Sequence, residues 1–183
     1  MSKLLILFSV VMLTAACTHF RGPGDFKQNG DYAKHIDNGV DASDEPTRIE
    51  SPVKLDWPVS FVRITQSFEP EKNPRHKGID MGGQRGTPIL SAQEGRVIYR
   101  GKAYKGYGNM VLIENGEWAT LYAHMQKIKV KQGDYLHAGT QIGTMGRTGH
   151  ATGVHLHFEL MHNKEPVDPI PYLNNSTHFV SRK

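Results

Sequence analysis

The stretch Gly153-Val154-His155-Leu156-His157-Phe158-Glu159-Leu160, GVHLHFEL, sets two histidines and a glutamate on alternate positions of an apolar run. In an extended chain successive side chains point to opposite faces. Val154, Leu156, Phe158 and Leu160 therefore share one face, and His155, His157 and Glu159 share the other. The first is a core face; the second is a row of imidazoles followed by a carboxylate. A half-exposed strand with merely solvated histidines would show the same alternation, so the rest of the chain has to decide between that and a site built on a strand.

Upstream of this stretch the sequence is dense in turns. Most of the nineteen glycines lie between positions 78 and 153, and they separate short apolar or alternating runs: VIY at 97–99, MVLI at 110–113, KIKVK at 127–131 and QIGTM at 141–145. Such runs between Gly-containing turns predict many short antiparallel strands, hence a mainly β chain folded as a small antiparallel β-sheet domain. Trp118, Leu121, Tyr122, Met125 and Ile128 also fit helical spacing. We prefer a strand, a loop and a second strand there, because KIKVK then alternates into the turn Gln132-Gly133-Asp134. No repeat of solenoid length is present.

A chain of 183 residues suffices for one domain with a full core. The globular pattern occupies 52–173 and leaves a short C-terminal tail, 174–183. Residues 18 to 51 are rich in Gly, Asp, Asn and Pro without apolar periodicity, and together with Cys17 they read as a flexible tether, 17–51. About 35 such residues span roughly 30 Å r.m.s.. Residues 1–16 have the order of a secretory signal: Lys3, the run LLILFSVVML, then Thr14-Ala15-Ala16. That run is too short to cross a bilayer as a mature helix. Cys17 is the single cysteine, so the domain has no disulfide and a metal site in it must use His, Asp or Glu. The net charge is only +4, with no dense Lys/Arg block, which argues against nucleic-acid binding.

The second cluster able to do chemistry is His76-Lys77-Gly78-Ile79-Asp80. Alone, His and Asp four apart describe an ordinary ion pair. Joined by one imidazole of the HxH pair, His76 and Asp80 make two nitrogens and one carboxylate oxygen, a set that suits zinc and leaves a fourth tetrahedral position open, as in catalytic rather than structural sites. No HExxH occurs, so a helical zincin layout is excluded. Base duty then falls to a remaining histidine, since imidazole titrates near neutrality. His124, in Leu121-Tyr122-Ala123-His124-Met125, follows an apolar run and on its own would read as a partly buried structural residue. His19 and His35 lie in the tether. His137, His150, His162 and His178 carry no motif and read as surface residues, His150 being the exception to watch because it sits in the loop entering the HxH strand.

HKGID, LYAHM and HLHFE, in this order and over this distance, resemble the lysostaphin/LytM-type zinc metallopeptidases that cut bacterial peptidoglycan. The resemblance covers about 57 to 173 and includes WPV (57–59), GTPILSAQEGRVIYRG (86–101), GYGNMVLIENG (106–116), VKQGD (130–134) and GTMGRTGHATGVHLHFEL (143–160). It implies a duplicated hybrid motif fold with a groove-shaped site on a sheet. It makes His76, Asp80 and His157 the ligands of Zn2+, and His124 and His155 the catalytic pair, one as base and the other as donor. The implied activity is zinc-dependent hydrolysis of stem-peptide or cross-link amides of murein. Beside this site Glu159 can orient an imidazole, since metal-bound histidines commonly donate their other N–H to a carboxylate; a plain surface glutamate fits the sequence equally. Asn109 reads as turn support.

Residues 13–17 resemble a bacterial lipoprotein signal, with Thr14 where leucine is more usual. This implies cleavage before Cys17 and a membrane anchor through lipid on its thiol, and Thr18 then points to the outer membrane, facing the periplasm. Some relatives of this type lack ligands or catalytic histidines and activate separate cell-wall amidases. Here every position is filled, which favours an enzyme, whether open or self-blocked by Asn29 or Asp37 of the tether. A third reading is a murein-anchoring lipoprotein with no zinc requirement.

Overall fold

The computed structural model describes residues 53–174. The signal segment, Cys17, the tether, the tail beyond Asn174, and with them His19, His35, His178, Asn29 and Asp37, lie outside the described residues.

Eleven strands follow one another: β1 (Ile64–Gln66), β2 (Ile79–Gly82), β3 (Pro88–Leu90), β4 (Gly95–Gly101), β5 (Met110–Asn115), β6 (Trp118–Ala123), β7 (Met125–Ile128), β8 (Tyr135–Leu136), β9 (Gln141–Met145), β10 (His155–His162) and β11 (Glu165–Val167), before a 3-10 turn at Ile170–Tyr172. An eight-stranded antiparallel sheet runs β1-β2-β10-β6-β5-β4-β8, with β11 also paired to β10, and a three-stranded sheet runs β3-β9-β7. The sequence expectation of a mainly antiparallel β-domain matches this architecture.

The main core lies between the two sheets and takes alternate residues from each strand: Ile79 and Met81 of β2, Val111 and Ile113 of β5, Tyr122 of β6, and Leu156, Phe158 and Leu160 of β10. The intervening residues face the other side of the large sheet. There Met110, Leu112, Ala119, Leu121, Ala123 and Met161 form a smaller cluster with Tyr99, partly covered by Tyr104 and Tyr107 from the β4–β5 loop. Strand β6 is thus buried on both faces. This explains why its apolar residues also satisfied helical spacing: a strand covered on both faces loses the period-2 signature.

The break between β6 and β7 is a single residue. His124 has φ 58, in the left-handed region that non-glycine residues seldom occupy, and there the chain passes from the large sheet to the small one. The sequence places a strand, a loop and a strand here; the loop is this one corner. The second strand also ends earlier than KIKVK suggests. After Ile128 the Lys131 amide donates to the Asp134 side chain at 2.8 Å, so the chain is already turning. At Gly78, just before β2, a Cβ would lie 2.1 Å from the Phe158 carbonyl, so only glycine lets the segment carrying His76 and Asp80 lie against β10.

Candidate functional site

The site is assembled on the large-sheet face that turns away from the main core. In the β2–β10 register Asp80 pairs with His157 and Gly82 with His155, and in the β10–β6 register His157 pairs with Ala123. Because Ile79 and Met81 point into the core, Asp80 points to the same face as His155, His157 and Glu159. His76 arrives from the turn preceding β2, and His124 stands at the corner ending β6. The five sequence-predicted residues therefore meet in one patch.

Asp80 is its hub. One oxygen, Oδ1, lies 3.0 Å from His76 Nε2 and 2.7 Å from His157 Nδ1, and Oδ2 lies 3.5 Å from His155 Nε2. Burial alone would raise the Asp80 carboxyl, but hydrogen bonds from His157 and His76 and the positive charge of His157 and His155 hold it well below the usual carboxylate range. His157 is 6 % exposed and faces a carboxylate with each ring nitrogen: Nδ1 toward Asp80 and Nε2 toward Glu159 Oε1 at 2.9 Å. Burial pushes the imidazolium down, yet the two carboxylates outweigh it and lift the pKa to about 9.

His76 Nε2, Asp80 Oδ1 and His157 Nδ1 converge, and the ligand atoms of these three residues lie within 4.8 Å of one another. The donor set fits a divalent ion of intermediate softness: two imidazoles, one carboxylate, no sulfur. Both imidazoles reach the same Asp80 oxygen, Oδ1, within hydrogen-bond distance. Behind them, Glu159 is fully buried and accepts both from His157 Nε2 and from the Tyr107 hydroxyl, the latter at 2.7 Å. This is the arrangement by which a carboxylate fixes the orientation of a ligating imidazole. The surface-glutamate alternative left open by the sequence does not hold.

His124 and His155 stand beside this group with ring centroids 4.7 Å apart and edge-to-face. His124 is 5.9 Å from the His157 ring. Its Nδ1 lies 2.8 Å from the Thr148 carbonyl, an acceptor only, so Nδ1 carries the hydrogen and Nε2 holds the lone pair of the neutral ring. Burial first, and then the charge of His155 and His157, lower its pKa to about 4 against the pull of the Thr148 carbonyl and Asp80, so the ring is neutral at pH 7. His155 is oriented by the Gly153 carbonyl, 3.1 Å from its Nδ1.

Two residues without a sequence-assigned role belong to this constellation. Tyr107 sits in the quoted GYGN, but its partner Glu159 is 52 positions away and no local spacing connects them. Thr148 acts through its backbone, which leaves no side-chain signature. Asn109 does support structure, donating from Nδ2 to the Met125 carbonyl at 3.1 Å. His150 is exposed and tied by its backbone to Gly106. His137 stands edge-on to Tyr135. His162 stacks on Trp118 with centroids 4.2 Å apart and pairs with Glu117, away from the site.

The model of peptidase family M23 matches residues 74–169 of the chain. The outer membrane antigenic lipoprotein B of Haemophilus influenzae is 40 % identical over 126 residues, which is 68 % of this chain and 30 % of that protein. The murein hydrolase activator NlpD of Escherichia coli K12 is 39 % identical over 118 residues, 64 % of this chain and 30 % of that protein. Among solved structures, the antimicrobial peptidase lysostaphin from Staphylococcus simulans superimposes with a TM-score of 0.60 at 28 % identity, over 73 % of this chain and 60 % of that one. The matched stretch thus spans less than a third of either curated relative. The chain belongs to peptidase family M23.

Proposed function

We propose that this M23-family chain is a zinc-dependent peptidoglycan endopeptidase that hydrolyses stem-peptide or cross-link amides of murein. The observation that carries the reading is that the three-donor group at Asp80 has an oriented pair of imidazoles, His124 and His155, at its side. His76, Asp80 and His157 would hold the zinc, which when bound supplies the Lewis-acid charge that activates water and polarises a scissile carbonyl. Glu159 and Tyr107 keep the His157 ring in its ligating orientation. His124, with Nδ1–H held by the Thr148 carbonyl, can take a proton only at Nε2. His155 and His124 lie close enough to share the transfer from attacking water to leaving amine.

The chain is further proposed to act from the envelope. Residues 1–16 would direct export, Cys17 would carry lipid, and 17–51 would tether the domain of 52–173 to the outer membrane on its periplasmic side. The likeness to an outer membrane lipoprotein supports this placement.

The relative named a murein hydrolase activator supports a second reading, in which the domain binds and activates a cell-wall amidase instead of cutting. One experiment separates the two. Purified sacculi and cross-linked muropeptides are incubated with the full chain, with and without a zinc chelator, and read by mass spectrometry. Chelator-sensitive conversion of dimers to monomers is expected. Intact dimers in the presence of one bound zinc per chain would shift the function to the activator reading.

A further inference from the structure

We infer that the cavity between the β4–β5 loop and the loop entering β10 is a carboxylate-binding subsite for the peptide on which the metal site acts; this rests on the murein reading above and deepens it. The cavity has a volume of about 490 Å³ and is lined by Lys102, Lys105, Gly106, Asn109, Thr148 and His150, among others. Its two walls come from residues 102–109 and 148–150, which carry Lys102 and Lys105 and not one Asp or Glu. Among the described residues neither Lys102 nor Lys105 makes an ion pair, so both ammonium groups are available to an anion.

The walls also form the frame of the reacting group. The His124 amide donates to the Tyr107 carbonyl and His124 Nδ1 to the Thr148 carbonyl, while the His150 amide donates to Gly106. Gly108 and Gly149 hold positive φ and cross so closely that a Cβ on Gly149 would meet the Gly106 carbonyl oxygen at 2.2 Å. The floor is therefore glycine backbone, fixed in place, with cationic side chains at the rim. Thr148 lines the cavity and orients His124 with its carbonyl, so an anion seated there lies against a residue that positions the proton-transfer pair.

Murein stem peptides present free carboxylates close to their amide bonds, and a point-charge lysine pair holds such a group without demanding a fixed fork geometry. The cavity would thus set which amide lies at the metal site by holding the carboxylate beside it. Ion pairing at an exposed rim is weakened by salt, which gives the proposal a second signature.

The test uses the full chain and two synthetic probes: the tetrapeptide L-Ala-D-Glu-meso-diaminopimelate-D-Ala and the same peptide with its carboxylates converted to carboxamides. Their Kd values are measured by calorimetry at low and high salt for the native chain and for the Lys102→Met/Lys105→Met variant. Both lysines are exposed, so zinc content and Tm are expected to stay unchanged. The native chain is expected to bind the acid form about tenfold tighter than the amide, and salt or the double substitution is expected to remove that ratio. An acid-to-amide ratio that survives in the variant, or a ratio of one in the native chain, overturns the subsite while leaving the murein reading intact. Binding of neither probe by the native chain contradicts the murein reading itself, and the subsite falls with it.

Discussion

The two faces of β10 are buried almost equally and are built by opposite means. Leu156, Phe158 and Leu160 on one face and Glu159 on the other are fully buried, and His157 is nearly so. On the core face, burial itself stabilises, by about 1.5–3 kcal/mol per large side chain. On the site face, burial costs free energy unless each polar atom finds a partner. There most of the cost is offset by a chain of contacts from Tyr107 through Glu159 and His157 to Asp80 and His76, whose Nδ1 is left buried without a partner among the described residues. One strand thus carries a face that makes the fold and a face that the fold has to hold in place.

That difference makes the substitutions on one strand separable. The largest effect belongs to the core face. Phe158→Ala is expected to cost about 3–5 kcal/mol and to lower the Tm strongly, while the zinc affinity of whatever remains folded stays near native. Loss of zinc without loss of stability would mean that Phe158 belongs to the site.

The second effect is pH-dependent and belongs to the site face. With no metal bound, the His157 pKa is raised from 6.5 to about 9. Its contribution is therefore fully present below pH 6.5 and lost as pH rises through 9, a decline of roughly 3 kcal/mol. His124 acts with the opposite sign: its pKa is lowered to about 4, so its contribution is present above pH 6.5 and lost as pH falls toward 4. The Tm of the zinc-free chain is expected to peak near pH 6.5 and to fall on both sides. Zinc, replacing the proton on His157 Nδ1, should flatten the alkaline limb. A Tm that climbs steadily from pH 6.5 to 9 without metal would contradict the charge assignment.

Smaller effects sharpen the comparison further. Glu159→Gln is expected to weaken zinc binding about 10–100-fold, read by competition with a chromophoric chelator, and to lower the zinc-free Tm because the amide fills the same space but no longer supports the His157 charge. Unchanged affinity would make Glu159 a structural residue only. Tyr107→Phe removes one hydrogen bond, worth about 0.5–1.5 kcal/mol, so a zinc affinity loss of tenfold or less is expected. A larger loss would show that the tyrosine also shapes the loop over the small cluster.

The same contrast explains what the sequence made legible. The faces of β10 could be read from GVHLHFEL alone, because alternation within one strand is local information. That Asp80 stands opposite His157 could not, since the register joins residues 77 positions apart; zinc-ligand chemistry suggested that one HxH imidazole joins Asp80, and the likeness to a known family chose His157. The corner at His124 was hidden for another reason. A left-handed histidine has no sequence signal of the kind a glycine gives, so LYAHMQKI reads as a strand, a vague loop and a strand, or as a helix. Glu159 stayed ambiguous because its burial depends on Tyr107, in a loop that folds back over the sheet.

The most direct test of the account compares His155→Ala with His157→Ala for bound zinc and for turnover of cross-linked muropeptides. The account predicts that His157→Ala loses both, whereas His155→Ala keeps one zinc per chain and loses turnover. Retained turnover in His155→Ala, or loss of its zinc, would contradict the division of the HxH pair into a proton-transfer residue and a ligand.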